Sequence, residues 1–217
     1  MVIVVALHTD AVREPSAFAA GLAVVSTDRK ERVLSFKRSD DRRLSLCAGL
    51  ALGACLNTVG LSADTEIIRT EHGKPVLRDH PQWQFSLSHS GEYAVCALAD
   101  APIGIDVQER RSVDALSLAE RFFSPMETEL LRLLPETERS SAFFRLWTAK
   151  ESILKAQGSG LTGGLARVPV VYGDELKALP WRLKEYPLPG YALTACGTDV
   201  FPDLFTVISS FDSVLLH

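Results

Sequence analysis

The chain reads as an α/β protein of two similar-sized lobes, residues 1–103 and 104–217, and three observations carry that reading. An apolar opening run, MVIVVAL, precedes a long helix-like stretch over 15–57. Residues 85–107 hold three short runs of strand character separated by turn residues. Helix-like sequence then returns over 114–157, and strand-like runs punctuated by proline close the chain. Helices and strands up to about residue 103, then helices and strands again, describe two lobes rather than a tandem repeat.

Taken in order, MVIVVAL has no basic leader and no small-residue cleavage site, so it is expected to be a strand and not a signal peptide. Asp40 or Asp41 is placed to cap the run 44–56, which at 13 residues is too short to span a bilayer. Residues 66–69 and 75–77 flank the turn His72-Gly73-Lys74 as short strands. Residues 85–89, 93–99 and 103–107 form a meander turned at Ser90-Gly91-Glu92 and Asp100-Ala101-Pro102. Its first and third strands end at one edge, which makes His89 and Asp106 neighbours. In the third strand Gly104, Asp106 and Gln108 share one face, opposite Ile103, Ile105 and Val107. Helices are expected over 114–123 and 126–134, split by Ser124-Pro125 with Ser124 as cap, and over 140–157, stopped by Gly158-Ser159-Gly160. Strands over 168–172 and 191–196 complete a second sheet.

The composition is that of a folded domain, 47% hydrophobic and 23% charged. A net charge of −4 argues against a general nucleic-acid binder, and nothing calls for a membrane. Cys47, Cys55, Cys96 and Cys196 show neither CxxC nor zinc spacing and are expected to be reduced core thiols in a cytoplasmic protein. One segment departs from the average: residues 28–43 hold seven Lys or Arg against four Asp or Glu. It is either a phosphate-binding cluster or a solvated helix start.

The chemistry concentrates in Trp147-Thr148-Ala149-Lys150-Glu151-Ser152-Ile153-Leu154-Lys155, where charge falls inside an apolar helical arc. Lys150 projects between Leu146 and Leu154, and Glu151 lies at the edge of the arc with Lys155 one turn on. A surface helix with a Glu151–Lys155 pair and a snorkelling Lys150 would read the same way. The strand-face pair Asp106 and Gln108, completed by Glu151, offers oxygen ligands to a hard cation of the Mg²⁺ type. Lys150 and Lys155 add positive charge, and Ser88 with His89 adds donors. Together these describe phosphoryl transfer, in which positioning and charge neutralisation supply most of the catalysis.

Six strings occur in order: Gly73-Lys74-Pro75, FSLSHSG at 85–91, Gly104-Ile105-Asp106, Arg121-Phe122-Phe123-Ser124-Pro125 with Glu127, WTAKESILKA at 147–156, and Gly158-Ser159-Gly160-Leu161. In them the chain resembles the 4'-phosphopantetheinyl transferases of the larger, single-chain, surfactin-synthetase-activating type. The match covers 73–161, with a weaker likeness back to about residue 26.

The resemblance implies two pseudo-symmetric lobes, each with helices on a mainly antiparallel sheet, and coenzyme A in the cleft between them. It implies transfer of phosphopantetheine from coenzyme A to a serine of an apo carrier protein, releasing adenosine 3',5'-bisphosphate, and a monomer. Carried over, Asp106 and Glu151 hold Mg²⁺, Glu151 takes the serine proton, Lys155 contacts phosphates and Lys150 neutralises the leaving group. Ser88 and His89 with Arg29, Arg32 and Arg43 become the nucleotide and 3'-phosphate contacts, and Lys74-Pro75 part of the adenine pocket. Arg42 is an alternative to Arg43. Gln108 stands where many members carry Glu, which weakens the implied metal site. The alternatives are a coenzyme A-binding module without turnover and a Mg²⁺-dependent phosphohydrolase. The carrier is expected to be acidic, with 112–134, including Phe122, Phe123 and Met126, as its docking surface.

Overall fold

The computed structural model describes residues 1–71, 73–158, 164–201 and 205–211. His72, Ser159, Gly160 and Leu161, which belong to the turn and motif expectations above, lie outside these residues.

The chain opens with β1 (Val2–His8), followed by the helices α1 (Pro15–Val24), α2 (Thr27–Ser35) and α3 (Ser39–Thr58). A small hairpin, β2 (Ile67–Arg69) and β3 (Pro75–Leu77), leads to β4 (Gln84–Ser90), β5 (Tyr93–Ala99) and β6 (Ile103–Glu109). Then come α4 (Ala115–Phe122), α5 (Pro125–Leu133), α6 (Glu136–Gln157), β7 (Arg182–Glu185), β8 (Tyr191–Gly197) and β9 (Thr206–Ile208). Mixed α/β architecture is therefore as the sequence predicts. Two main sheets form, in orders β4-β5-β1-β9 and β6-β8-β7. All their pairings are antiparallel except β9, which returns from the C-terminal half to lie parallel to β1.

Period-two alternation decides the layering. On β1 and β5, Val5, Leu7, Ala94, Cys96 and Leu98 pack under the first three helices, while Val4, Ala6, Val95 and Ala97 face a second apolar layer. That layer is completed by Ile103, Ile105 and Val107 of β6 and by Leu193 and Ala195 of β8, so the two sheets are packed on one another. The outer side of the second sheet carries Ala192 and Cys196 under α6 and its neighbours. The result is four layers, helices outside and sheets inside.

Four sequence expectations are corrected. β6 is not the third strand of the β4–β5 meander but the edge of the other sheet, paired with β8. The reason is chemical: the amides of Ile105, Val107 and Glu109 donate to the hydroxyls of Ser86 (3.1 Å), Ser88 (3.4 Å) and Ser90 (3.0 Å). Alternate serines of β4 thus satisfy the edge of β6 with side chains in place of a backbone ladder. Residues 168–172 form no strand beyond a single bridge, Val171 to Lys177; Pro169 has no amide to give. Asp40 and Asp41 sit within the first turn of α3 behind an N-cap at Arg38, where they favour the helix dipole without capping. Finally, α6 begins at Glu136 rather than 140, and Gly158 ends it in the left-handed conformation at φ 72°. The capping of α5 by Ser124 is as expected, reciprocated by Glu127.

Two contacts fix α6. It lies directly on β6 at Gly104, where an added Cβ would stand 1.9 Å from the Ser152 carbonyl oxygen and 2.6 Å from the Ala156 nitrogen. On another side Lys150, 0% exposed, reaches Glu127 at 2.6 Å and donates to the carbonyls of Leu165 (3.1 Å) and Val168. Its Nζ also lies 5.3 Å from the centre of the Phe123 ring. Burial pushes the Lys150 pKa down and Glu127 pulls it back.

Gly104→Ala is therefore expected to lower the thermal midpoint by about 6 to 12 °C, from overpacking of roughly 3 kcal/mol. An unchanged midpoint would mean that α6 can lift from β6 freely. Lys150→Met and Glu127→Gln, each leaving a buried partner uncompensated, should cost about 3 to 5 kcal/mol in denaturant unfolding. Replacing both by apolar residues should cost far less; equal cost for the double and single variants would argue against a paired role.

Candidate active site

Glu151 and Lys155 are one turn apart on α6, on the face that Gly104 brings onto β6. The contact delivers them to Asp106, which is 3% exposed and on the same strand face as Gly104. Lys155 Nζ donates to Asp106 Oδ1 at 2.7 Å and to the Ile105 carbonyl at 2.9 Å. Ser88 Oγ donates to the same Oδ1 at 2.7 Å, and Gln108 Nε2 to Oδ2 at 3.2 Å. Ser88, Asp106, Gln108 and Lys155 thus form one hydrogen-bonded group, with Glu151 close enough to feel the charges of Asp106 and Lys155.

The charges are not balanced. Burial first, then the nearby Asp106, raises the pKa of Glu151 to about 6, with Lys155 opposing. Two buried carboxylates with one lysine are short of positive charge. Asp106, Glu151 and the amide of Gln108, which presents oxygen when its plane is turned, are hard ligands suited to a divalent cation shared with phosphate oxygens. Among the described residues no group of three His, Cys, Asp or Glu gathers to hold a metal unaided.

Beside this cluster a cleft of about 320 Å³ is lined by Lys74, Pro75, Phe85, Ser86, Leu87, Glu151, Leu154 and Lys155, together with Gly73 and Gly158. Lys74 Nζ donates to the Ala156 carbonyl at 3.2 Å, tying the β2–β3 hairpin to the C-terminus of α6, and burial lowers its pKa. The expected pocket residues Lys74 and Pro75 therefore line the cleft, with Lys74 also acting as a helix cap. A larger groove of about 710 Å³, lined by Arg110, Asp114, Glu136 and Arg139 among others, involves none of these groups.

A second set of groups combines arginine charge with a histidine whose protonation is disfavoured. His89, on the opposite strand face from Ser88, has its pKa lowered by desolvation and then by Lys155, Arg32 and Arg29. Arg29, half-buried with its stem over Gly49, has its pKa lowered by burial and by Arg32 and Arg69. Among the described residues no carboxylate forms an ion pair with Arg29 or Arg32. An uncompensated group of this kind is a ready anion site.

Three expected members are not gathered here. Lys150 is taken up by Glu127 and two carbonyls in the core, so it is not beside the carboxylates. Arg43 pairs with Asp40, and Arg42 donates to the Phe36 carbonyl at 2.7 Å. Of the suggested docking aromatics, Phe123 is core, stacked on Phe143 at 5.1 Å; Phe122 lies edge-on to Trp147 at 5.4 Å. Met126 is 83% exposed. Sequence reasoning missed Arg69, whose guanidinium donates to Gly73 beside the cleft, and it named Glu127 without its partner Lys150, since the spacing from Ser124 signals only a capping box.

Comparison with known proteins adds an independent line. The profile of the 4'-phosphopantetheinyl transferase superfamily matches residues 102–188, and that of the N-terminal part of 4'-phosphopantetheinyl transferases matches 13–101. The chain is 33% identical over 183 residues to the 4'-phosphopantetheinyl transferase psf-1 of Bacillus pumilus, covering 79% of this chain and 78% of that protein. It is 28% identical over 200 residues to the 4'-phosphopantetheinyl transferase Sfp of Bacillus subtilis, covering 87% and 89%. With HetI of Nostoc, also a 4'-phosphopantetheinyl transferase, identity is 48% over 94 residues, 41% of this chain and 40% of that one. Sequence, geometry and relatives agree: this chain belongs to the 4'-phosphopantetheinyl transferase superfamily.

Proposed function

We propose that the chain transfers the 4'-phosphopantetheine group of coenzyme A to a serine hydroxyl of an apo carrier protein and releases adenosine 3',5'-bisphosphate. The observation that carries the reading is the Asp106–Glu151–Lys155 cluster opening on a cleft, with His89 near Lys155 and near Arg29 and Arg32, neither of which pairs with a carboxylate among the described residues. A pyrophosphate needs that combination of charges, and a nucleotide carrying a further phosphate needs the second group.

In this reading Arg29, Arg32 and His89 receive the 3'-phosphate, and Lys74 with Pro75 bounds the base. Lys155 donates to the pyrophosphate while staying anchored on Asp106. The serine oxygen forms a bond to the phosphorus on the pantetheine side, the bond from that phosphorus to the oxygen of the nucleotide phosphate breaks, and the serine proton passes to Glu151. With a pKa near 6, Glu151 is ionised yet basic at neutral pH. Mg²⁺, held by Asp106, Glu151 and Gln108, would supply Lewis-acid neutralisation of the phosphoryl oxygens. Lys150 serves the reaction only by fixing α6.

Two lobes divided near residue 103 are supported by the repetition of a sheet under a long helix, α3 and then α6, with β9 crossing back from the second half to join the first sheet. Since one chain supplies both lobes, we read it as a monomer. The four cysteines are buried free thiols, which supports a reducing, cytoplasmic setting, and no helix among the described residues is long and apolar enough to cross a membrane. The carrier is expected to present an acidic surface.

Incubation with coenzyme A, Mg²⁺ and apo carrier, followed by mass spectrometry of the carrier, tests the reading. Modified carrier supports it; coenzyme A breakdown with unmodified carrier points to a hydrolase, and neither points to a binding module. Arg32→Ala should shrink the preference for coenzyme A over dephospho-coenzyme A from about tenfold or more toward unity, since charge-assisted contacts contribute about 1.5 to 3 kcal/mol. Equal use of both donors by the unmodified protein would rule out the assigned anion site.

Glu151 gives a prediction with a sign. Transfer should rise with pH as its carboxyl ionises, through about 6 in the cation-free protein and at lower pH as Mg²⁺ favours the ionised form. The raised folded pKa means that stability from the protonated form is present below about 4.5 and lost as pH rises through about 6. Glu151→Gln should therefore lose transfer by about 10² to 10⁴ and yet unfold on the order of 1–2 kcal/mol later than wild type at pH 8. The stability gain should vanish near pH 4.5. A variant less stable than wild type at pH 8 would overturn the assignment.

A further inference from the structure

A serine hydroxyl has one hydrogen to donate, and the hydrogen of Ser88 is committed. Its Oγ donates to Asp106 Oδ1 at 2.7 Å while accepting the Val107 amide at 3.4 Å, in a buried position between the two sheets. The flanking rungs, Ser86 and Ser90, perform the amide half of this task for Ile105 and Glu109. Ser88 alone of the three adds a bond to the central carboxylate. The strand alternation also separates it from its neighbour: His89 turns to the opposite face and the cationic group there.

We infer that Ser88 is a positioning residue for Asp106 and not a contact of the nucleotide, an inference that rests on the transferase reading above. Asp106 is grasped at three points: Ser88 and Lys155 hold Oδ1 and Gln108 holds Oδ2. Ser88 is the one of these that comes from the other sheet and is itself pinned to the β6 backbone at Val107. It therefore fixes the rotation of the carboxylate plane relative to Lys155 and Glu151. Loss of the hydroxyl loosens that rotation and leaves the Val107 amide unpaired, while Lys155 stays held by the Ile105 carbonyl and Arg29, Arg32 and His89 keep their places.

The test compares Ser88→Ala, Ser88→Thr and Ser90→Ala for melting temperature, kcat, and KM with coenzyme A and with dephospho-coenzyme A. Ser88→Ala is expected to lower kcat about tenfold, the scale of one lost bond to a charged group, with both KM values and the donor preference unchanged. Ser88→Thr, which keeps the hydroxyl, should recover most of kcat. Ser90→Ala removes the same kind of rung at an exposed amide that water can satisfy, so it should lower the melting temperature less than Ser88→Ala and leave kcat unchanged. A fall in donor preference in Ser88→Ala would make Ser88 a phosphate contact and overturn the inference. So would wild-type kcat in that variant, or an equal kcat loss in Ser90→Ala. Should Ser88→Ala fail to fold, Ser88→Thr decides: kcat lost along with the donor preference overturns the inference, and kcat retained supports it. A wild-type protein that modifies no carrier would instead sink the transferase reading, and this inference with it.

Discussion

The close approach of α6 to β6 at Gly104 governs the position of every group in the site. A helix normally stands off a sheet by the depth of its side chains, and that spacing would hold Glu151 and Lys155 away from Asp106. Removing one side chain at the point of contact lets the helix backbone rest on the strand, with Ser152 and Ala156 above the glycine. Residues 151 and 155 then straddle Asp106, two positions along the same strand face. The small residues at the crossing and the charged residues beside it are one device: the first sets the distance at which the second can interact.

The charges of the protein fall into two populations with different physical characters. Arg145 makes a two-point contact with Glu185, at 2.7 Å to each oxygen, and stacks on Tyr172, and its pKa is raised. Arg132 bridges Glu120 and Glu129. These groups are satisfied within the fold. Around the cleft the reverse holds: Glu151 is pushed up, and His89, Arg29 and Lys74 are pushed down. Each of those shifts records a charged form that the folded chain leaves under-stabilised, and an anionic ligand with a divalent cation would relieve them all. A protein selected for stability alone would not keep such groups side by side.

Much of this was legible in the sequence where one local rule decides the outcome. Alternation placed Asp106 with Gln108 and set Ile103, Ile105 and Val107 in the core; helical spacing placed Glu151 with Lys155; the Ser124-Pro125 signal gave the start of α5. What was not legible depended on partners far along the chain. Whether β6 pairs with β4 or β8 turns on the serine hydroxyls of β4 meeting its amides, and period-two patterning is the same in either sheet. The run 168–172 has strand-like composition, but its proline and the capture of the Val168 carbonyl by Lys150 remove the bonds a strand requires. The basic segment divided for a similar reason: Arg43 found Asp40 one turn away, whereas Arg29 and Arg32 form no ion pair with an acid among the described residues.

Lys150 and Glu151 show how one sequence signal resolves in two ways. Both are charges within an apolar helical arc, adjacent in sequence, and both are buried. A turn of about 100° separates their directions, and it sends them to different environments. Lys150 enters a region that supplies a carboxylate, two carbonyls and an aromatic face, so its charge is fully answered and its contribution is to hold α5, α6 and the 165–168 segment together. Glu151 enters a region that already contains a carboxylate, so its charge is opposed and its proton affinity rises. Burial of a charge is therefore no guide to function until its partners are counted. The residue whose partners are missing is the one placed to do chemistry, and the residue whose partners are complete is the one that keeps it there.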